Sequence, residues 1–371
     1  MAISQFIPLP VFKKLLKENK TSERSQKRLK SRLKFSRFIE PIRWYENIRY
    51  RGLMAKTELK QDPVFLLGFG RSGTTHLHYL FWQDPQFGVL SNYQATMQPI
   101  ALTGRGWLAK LLANSMPSTR PMDNVAMSMD APQEEELALV NISEHASLHF
   151  MSFPQNLDVY DRYVTQLGSN QKQLKAWQAG YMQVVKKATI LNNGRRLALK
   201  TPSNTGRIKV LNSMFPDAKY VNIVRNPYRV YQSMLNMYRK VLPSEALQEI
   251  DWQAIDAWVL EAYKATMNSY LEQRQLIPKD NLVEIKYEQL DETPLPILEA
   301  IYQQLDLGDF NAVKPKFEDY LNNLGTFEKN QFDFPEHVIN TVNEHWGFAF
   351  DAFGYEKIEA GETLTEASQQ G

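Results

Sequence analysis

The stretch GFGRSGTT, residues Gly68–Thr75, decides the fold of this 371-residue chain. It follows an apolar run, Pro63–Leu67, that is typical of a buried parallel strand, and it precedes Thr75–Trp82, where a helix is predicted. A glycine-rich turn between a strand and a helix directs successive backbone N–H groups at one point, where the helix N-terminus adds partial positive charge. The stretch therefore predicts a cradle for an anion, a phosphate or a sulfate ester.

This cradle has the G-x-x-x-x-G spacing of a P-loop, but the lysine that normally follows the second glycine is missing. Thr74 stands at that position. Kinases and ATPases use the lysine, together with magnesium, on the phosphates of ATP. Arg71 offers a positive charge from inside the loop instead. The sequence thus indicates an anion other than Mg-ATP, with an ordinary glycine turn as the plainer alternative.

Apolar runs alternate with helical patterns along most of the chain. Further strands are predicted at Arg196–Lys200, Lys219–Arg225 and Asn281–Tyr287. The predicted helices that separate or follow them cover residues 134–147, 172–187, 208–215, 226–240, 255–273 and 293–305. Residues 84–135 are expected to form loops and short helices. The alternation predicts an α/β fold, a P-loop-like open parallel sheet with helices on both faces.

Three of the most informative segments lie at the carboxyl ends of predicted strands. They are the loop after Phe69, Lys200–Pro202 and Arg225–Pro227. Ligands of open parallel sheets bind outside the carboxyl ends of the strands. We therefore expect all three segments to contribute to one site.

These segments resemble the sulfotransferases that use 3′-phosphoadenosine 5′-phosphosulfate (PAPS). The matching residues are Pro63–Thr75, Leu199–Pro202 and Phe215–Ser233, and Tyr287–Leu290 is a weaker fourth match. The chain looks most similar to the bacterial-type branch, which also resembles tyrosylprotein sulfotransferases. The match extends from about residue 63 to residue 307 and leaves out both ends of the chain.

The resemblance implies a PAPS-dependent sulfotransferase that acts on a hydroxyl or amine and needs no metal. Five consecutive loop residues would hold the 5′-phosphosulfate: Arg71, Ser72, Gly73, Thr74 and Thr75. Arg225 and Ser233 would hold the 3′-phosphate, and Tyr287 would lie near the nucleotide or the acceptor. Lys200 would stabilise the negative charge that develops as the nucleotide leaves. The plainer alternatives are a surface ion pair for Arg225, a helix filler for Ser233, a solvated strand end for Lys200 and a buried core residue for Tyr287.

The sequence does not assign the general base that must take a proton from the acceptor. Cytosolic sulfotransferases have a histidine two positions after the lysine, where this chain has Pro202. Tyrosylprotein sulfotransferases have a glutamate 21 positions after the loop arginine, where it has Asn92. Glu135, in the acidic run Glu134–Glu136, and His145 are the candidates that we put forward, although helix capping explains the acidic run equally simply. The other histidines considered are His76, His78 and His149.

Composition excludes several kinds of chemistry. The chain has no cysteine, so disulfides, thiolate nucleophiles and cysteine-ligated zinc are ruled out. No stretch reaches the roughly 18 consecutive apolar residues of a membrane span, and the first residues lack the pattern of a signal peptide. A cytoplasmic location is therefore expected, and nothing in the sequence indicates a nucleic-acid partner.

Positive charge is concentrated near the N-terminus. Residues 1–51 contain 14 lysines and arginines but only 4 acidic residues, whereas the whole chain has a net charge of +2. In the same segment, seven apolar residues precede the basic run Lys27–Arg37: Phe6, Ile7, Leu9, Val11, Phe12, Leu15 and Leu16. This combination suggests a peripheral membrane contact or a partner-binding helix, and packing of the segment on its own domain is the plainer alternative. We predict three parts: a basic helical arm (residues 1–56), a sulfotransferase-like α/β domain (57–358) and a polar flexible tail (359–371).

The acceptor is expected to be a small molecule, a lipid or a glycan. Its pocket is predicted to form from the loops of residues 84–161, where four side chains favour an apolar or lipid-like acceptor: Met97, Trp107, Met127 and Met129. A buried core lid would explain these side chains equally well. Three other functions stay open at this point: a nucleotide-binding protein of the same fold without catalysis, a P-loop kinase with a degenerate loop, and a membrane-docking adaptor that uses the basic arm.

Overall fold

The computed structural model describes residues 5–106, 108–110, 128–324 and 334–359. Its centre is a five-stranded parallel sheet. The strands, in chain order, are β1 (Val64–Leu67), β2 (Phe87–Val89), β3 (Arg196–Lys200), β4 (Lys219–Val224) and β5 (Leu282–Lys286). They lie in the order β2-β3-β1-β4-β5, so β1 is flanked by the two strands that precede the other predicted site segments.

Helices cover both faces of this sheet, which confirms the predicted fold class. The helices of the described residues are α1 (Leu9–Glu18), α2 (Gln26–Arg49), α3 (Arg51–Lys56), α4 (Thr74–Gln83), α5 (Asn92–Met97), α6 (Glu135–Val140), α7 (Leu157–Thr165), α8 (Gln171–Leu191), α9 (Ile208–Met214), α10 (Pro227–Glu245), α11 (Trp252–Gln273), α12 (Tyr287–Glu292), α13 (Pro294–Leu305), α14 (Phe310–Asn323) and α15 (Glu336–Phe353).

Strand β1 is buried on both sides because its residues alternate between two apolar cores. Phe65 and Leu67 belong to the larger core, to which α8, α10, α11 and α15 contribute. Val64 and Leu66 belong to the other core, against α4, α13 and α14. Successive strand residues point to opposite faces. This double burial explains why the strand is a continuous apolar run in the sequence.

The sequence located four of the five strands to within two residues at each end. Strand β2 was not predicted, since Phe87–Val89 is too short to show an alternating pattern. The helix predicted over residues 134–147 is also shorter than expected. Helix α6 ends at Val140, and a separate 3-10 helix follows at Ser147–Met151. The side chain of Asn141 donates to the carbonyl oxygens of Leu137 and Ala95, which stabilises the chain where it leaves the helix.

The basic N-terminal segment packs against the rest of the protein. Phe12 and Leu15 of α1 lie in the larger core. Helix α2 is fixed by two buried ion pairs, from Arg32 to Glu245 at 3.0 Å and from Lys187 to Glu46 at 2.5 Å.

No helix of the described residues is long and apolar enough to cross a bilayer. The boundaries proposed at residues 56 and 358 stay predictions, and the tail beyond residue 359 lies outside the described residues.

Candidate active site

The loop between β1 and α4 has a backbone suited to an anion. Arg71 (φ 69°) and Gly73 (φ 93°) are both in the left-handed region. Gly73 is the N-cap of α4 and provides no side chain to cap the first turn, so the N–H groups there keep their capacity to bind an anion. A Cβ atom at Gly73 would lie 2.2 Å from the ring of Tyr287. Both the positive φ and this close approach require glycine.

Arg225 follows β4 and lies against the same loop. Its Nη1 donates to the carbonyl oxygen of Arg71 at 3.3 Å, and its guanidinium is 4.2 Å from the centre of the Tyr287 ring. Its Nε is buried and has no hydrogen-bond partner among the described residues. Burial lowers the pKa of Arg225, but the guanidinium stays charged because the pKa of an arginine lies far above neutral pH. A buried cation with an unsatisfied N–H is a place where a bound anion would be stabilised.

Ser233 joins this group from helix α10. Its Oγ accepts a hydrogen bond from Nε of Arg71 at 2.9 Å. Pro227 opens the helix and the Asn226 side chain caps it by accepting from the N–H of Tyr228, so Ser233 lies in the second turn as predicted. The structure thus brings the two predicted anion-binding groups, one on the loop and one beside Arg225, to the same edge of the sheet.

Lys200 ends β3 at that edge. In the register of β3 and β1, Lys200 lies opposite Leu66, which is two residues before the glycine loop. The side chain is buried, and Nζ donates to Oε1 of Glu134 at 2.6 Å. The next residue, Thr201, has a buried hydroxyl without a partner among the described residues. A lysine–carboxylate pair therefore lies close to the loop.

A cavity of about 460 Å³ adjoins the loop, and Arg71, Thr74, Thr75 and Glu134 contribute to its wall. Most of the remaining wall is apolar and comes largely from α10, α11 and the segment around residue 150. Its apolar members include Leu137, Phe150, Met151, Met234, Met237 and Trp258. The sequence did not single out the residues of α10 and α11, because methionine and tryptophan on an amphipathic helix are indistinguishable from ordinary core residues.

Of the three consecutive acids, Glu134 is the one that lines the cavity. Helix α6 begins at Glu135, so Glu134 keeps an extended backbone and its side chain takes a different direction from the next two. Glu135 is fully buried and accepts hydrogen bonds from Tyr181 and Asn204 at 2.9 and 2.7 Å. Burial raises the pKa of Glu135 to about 7.

Glu136 is equally buried and belongs to the interior of the fold. It pairs with Arg207 at 2.7 Å and accepts from the hydroxyl and N–H of Ser147. Both its oxygens are engaged by these groups. Neither Glu135 nor Glu136 is therefore placed to meet an acceptor in the cavity.

Among the described residues, no histidine lines the cavity. His145 is half-buried, with Nδ1 at 3.0 Å from the hydroxyl of Tyr163 and Nε2 at 3.5 Å from Glu144, and burial lowers the pKa of His145. His78 and His149 contact backbone carbonyls, and burial lowers their pKa values to about 3 and about 4. The structure therefore does not bring His145 to the cavity, and the same holds for Glu135.

Asn92, at the position of the tyrosylprotein sulfotransferase glutamate, does line the cavity. Its side chain accepts from the amide of Gln133 and donates to the carbonyl oxygen of Ser128, both at 2.7 Å. An amide cannot take the acceptor's proton. However, Gln133, which contacts Asn92, is followed by Glu134. A carboxylate from a different segment of the chain therefore lines the same cavity as Asn92.

The methionines predicted to shape the pocket have different positions. Met97 and Met129 belong to one apolar cluster with Ile39 of α2, but of the two only Met129 lines the cavity. Trp107 and Met127 lie outside the described residues.

Comparison with known proteins identifies the class to which this fold and site belong. A sequence model of the sulfotransferase family matches residues 63–311. The chain is 28% identical over 313 residues to the omega-hydroxy-beta-dihydromenaquinone-9 sulfotransferase Stf3 of Mycobacterium bovis, covering 84% of this chain and 80% of that protein. Its fold resembles that of sulfotransferase STF9 from Mycobacterium avium, with a TM-score of 0.65, 20% identity and coverage of 85% and 82%.

Sulfotransferase STF1 from Mycobacterium tuberculosis H37Rv has a similar fold, with a TM-score of 0.60, 16% identity and coverage of 82% of this chain and 81% of that one. The class is thus that of transferases built on a parallel sheet with a P-loop-like turn. The family model covers well over half of the chain, and the chain belongs to the sulfotransferase family. The prediction of an enzyme that transfers a sulfuryl group is confirmed.

Proposed function

We propose that this sulfotransferase moves the sulfuryl group of PAPS to a hydroxyl group of an apolar, lipid-like small molecule. One observation carries the proposal: the glycine loop, the Arg71–Ser233 contact and Arg225 meet beside a cavity that also contains the Glu134 carboxylate, held by Lys200. A nucleotide with anionic groups at both its 3′ and 5′ positions and an uncharged acceptor each find suitable chemistry there, and the two sites are contiguous.

The residues of the loop and of β4 fit the nucleotide. The first-turn N–H groups of α4, Arg71 and the hydroxyls of Thr74 and Thr75 bind the 5′-phosphosulfate. Arg225 binds the 3′-phosphate through charge-assisted hydrogen bonds, and its unsatisfied buried Nε supports this assignment. Ser233 adds a hydroxyl on the same side. These residues supply the positive charge that the missing P-loop lysine provides in other families.

PAPS supplies the activated sulfuryl group, and adenosine 3′,5′-bisphosphate is the product nucleotide. Glu134 accepts the proton of the acceptor hydroxyl while the acceptor oxygen bonds to sulfur. The bond from sulfur to the 5′-phosphate oxygen breaks, and its electron pair stays with that oxygen. Lys200 stabilises the resulting negative charge. The 2.6 Å contact between Lys200 and Glu134 supports a role for both residues in one reaction.

The cavity wall supports an apolar acceptor rather than a glycan. A glycan needs many hydrogen-bond partners, whereas this wall consists largely of aliphatic, aromatic and methionine side chains. The similar protein Stf3 is named for a hydroxylated dihydromenaquinone, an acceptor that joins a hydroxyl to an apolar body. Both observations favour an alcohol of this general kind.

Calorimetry with adenosine 3′,5′-bisphosphate tests the nucleotide assignment. The wild-type protein should bind it, and Arg225→Ala should lower the affinity by about tenfold to a hundredfold because a charge-assisted hydrogen bond is lost. Arg239→Ala, on the same helix as Ser233 but paired with Asp256 at the surface, is the matched control and should bind normally. Failure of the wild type to bind the nucleotide would disprove the use of PAPS.

A turnover assay then tests the acceptor class. With PAPS as donor, a long-chain isoprenoid alcohol should be sulfated much faster than a monosaccharide of equal concentration. Preference for the sugar, in a protein that binds the nucleotide normally, would contradict the acceptor assignment and leave the donor assignment intact.

A further inference from the structure

Helices α2 and α3 expose an unusual set of large apolar side chains. Five of the nine exposed large apolar residues among the described residues lie on these two helices: Phe38, Trp44, Tyr45, Ile48 and Leu53. Phe38 and Trp44 are each 68% exposed and Ile48 is 58% exposed. They are not the apolar residues that the sequence suggested for a membrane contact, since Phe6, Ile7, Phe12 and Leu15 are buried. A cluster of this kind on a soluble domain marks an interaction surface.

The same two helices carry exposed positive charge without exposed negative charge. Seven cationic residues between Gln26 and Lys56 are exposed: Lys27, Lys30, Lys34, Arg37, Arg49, Arg51 and Lys56. The two acidic residues in this interval bond to other groups of the protein. Glu40 accepts from Arg43 and from the backbone of Leu9, and Glu46 is buried against Lys187. The exposed charged residues of the two helices are therefore all positive.

The helical period gathers these exposed residues on one side of α2. At about 100° per residue, Lys30, Lys34, Phe38, Tyr45 and Ile48 fall on one side. The buried residues of the helix, Arg32, Ser36, Ile39 and Glu46, fall on the opposite side and hold α2 against the protein. Cations occupy the first half of the exposed side, and aromatic and aliphatic residues dominate the second half. We call the exposed apolar and cationic residues of α2 and α3 the basic–aromatic face.

We propose that the basic–aromatic face docks the enzyme on an anionic lipid bilayer. Tryptophan and tyrosine favour the boundary between acyl chains and water, because each combines an apolar ring with a polar group. Cations next to them are attracted to anionic headgroups. A second copy of the chain is a poorer occupant, since a twofold interface would bring the seven cations of one face close to those of the other.

The docked helix is bonded directly to the wall of the cavity. Arg28 donates to the carbonyl oxygens of Pro243 and Ala246, and Arg32 pairs with Glu245. Glu245 itself contributes to the cavity wall. Docking through α2 therefore fixes the cavity relative to the bilayer, which suits an enzyme whose acceptor is dissolved in lipid. The docking proposal does not depend on the identity of the acceptor.

Vesicle co-sedimentation with the full-length protein tests the proposal. The protein should bind vesicles of phosphatidylcholine with about one third phosphatidylglycerol at least tenfold more tightly than vesicles of phosphatidylcholine alone. Binding should weaken as salt is raised. Lys30→Glu with Lys34→Glu should lower the affinity by at least about fivefold for each residue. Trp44→Ser with Ile48→Ser should lower it by roughly tenfold or more on the same vesicles.

Leu276→Ser with Lys279→Glu is the matched control, because it removes an exposed apolar residue and an exposed lysine far along the chain from α2. It should bind vesicles like the wild type, and all variants should bind adenosine 3′,5′-bisphosphate equally, which shows that they are folded. Absence of wild-type binding to anionic vesicles, or an equal loss in the control, would overturn the proposal. So would a stable dimer in sedimentation velocity that the Trp44→Ser, Ile48→Ser variant abolishes, since the occupant would then be a second copy.

Discussion

At the scale of single residues, the environment of each acid separates their roles. Glu134 and Glu135 are neighbours, but the first shares a cavity wall with Asn92 while the second is enclosed by Tyr181 and Asn204. A carboxylate that is to take a proton from an acceptor must be within reach of it. Burial raises the pKa of Glu135 to about 7, so a perturbed pKa alone would point to a carboxylate that does not line the cavity.

Glu134→Gln should lower kcat by about 100-fold to 10,000-fold because the proton acceptor is lost. The affinity for adenosine 3′,5′-bisphosphate should change little, since Glu134 bonds to Lys200 and not to the glycine loop. Steady-state turnover and calorimetry on the same preparations measure the two effects. Asp130→Asn, an exposed acid nearby in sequence, controls for the loss of one negative charge and should retain full turnover. Normal turnover of Glu134→Gln would exclude it as the base.

At the scale of elements, the site depends on where parallel strands end. Strands β3, β1 and β4 are adjacent, so Lys200, the glycine loop and Arg225 leave the sheet at one edge. The first residue of α12, Tyr287, follows β5 at the same edge and packs between Arg225 and the loop. The ring therefore fixes the distance between the two proposed phosphate-binding groups.

Gly73→Ala should disrupt this arrangement, because its Cβ would overlap the Tyr287 ring at 2.2 Å and the residue would keep a φ of 93°. A left-handed non-glycine residue costs about 1–3 kcal/mol, so the melting temperature should fall. The affinity for adenosine 3′,5′-bisphosphate should fall by roughly tenfold or more as the loop or the ring moves. Gly168→Ala is the control, since nothing lies within 4 Å of its added Cβ and it should alter neither quantity. Unchanged affinity in Gly73→Ala would mean that the loop does not bind the nucleotide.

The sequence was sufficient to predict which edge of the sheet carries the site, but it was not sufficient to predict the cavity. The strand ends and the glycine loop are marked by local patterns of apolar runs and turn residues, and these patterns are compatible with few other structures. The position of Glu134 depends on where α6 begins and on contacts to Gln133 and Lys200, which are set by tertiary packing. Likewise, the spacing of Met234 and Trp258 indicates an apolar helix face, but it does not show whether that face meets the core or a cavity.

At the scale of the whole molecule, the basic N-terminal segment is part of the folded body. Phe12 and Leu15 belong to the core that also contains β1, and α2 bonds to the end of α10. Deleting residues 1–51 would remove core residues as well as surface charge. The role of this segment is therefore better tested by point substitutions that separate its buried side from the basic–aromatic face.

Arg32→Ala addresses the buried side. The wild-type guanidinium donates to Ser152 and to both the side chain and backbone of Glu245, and the pair is almost fully buried. Removing one partner of a buried ion pair costs about 3–5 kcal/mol because the other charge is left in the interior. We expect a clear fall in the free energy of unfolding, and a higher KM for the acceptor because Glu245 lines the cavity.

Denaturant unfolding and acceptor kinetics measure these effects, and Arg24→Ala is the control. Arg24 lies 3.8 Å from Glu249 with both side chains exposed, so its removal should change the stability by less than about 1 kcal/mol.

If the unpaired charge of Glu245 causes the loss of stability, Arg32→Met combined with Glu245→Met should recover much of it, since an apolar pair often replaces a buried ion pair at little cost. Because Arg32 points away from the basic–aromatic face, vesicle binding should persist in the Arg32→Ala and Arg32→Met, Glu245→Met proteins as long as they stay folded. An Arg32→Ala protein with the stability and the acceptor KM of the wild type would show that this ion pair does not couple α2 to the cavity wall, and the link between docking and the cavity would then be lost.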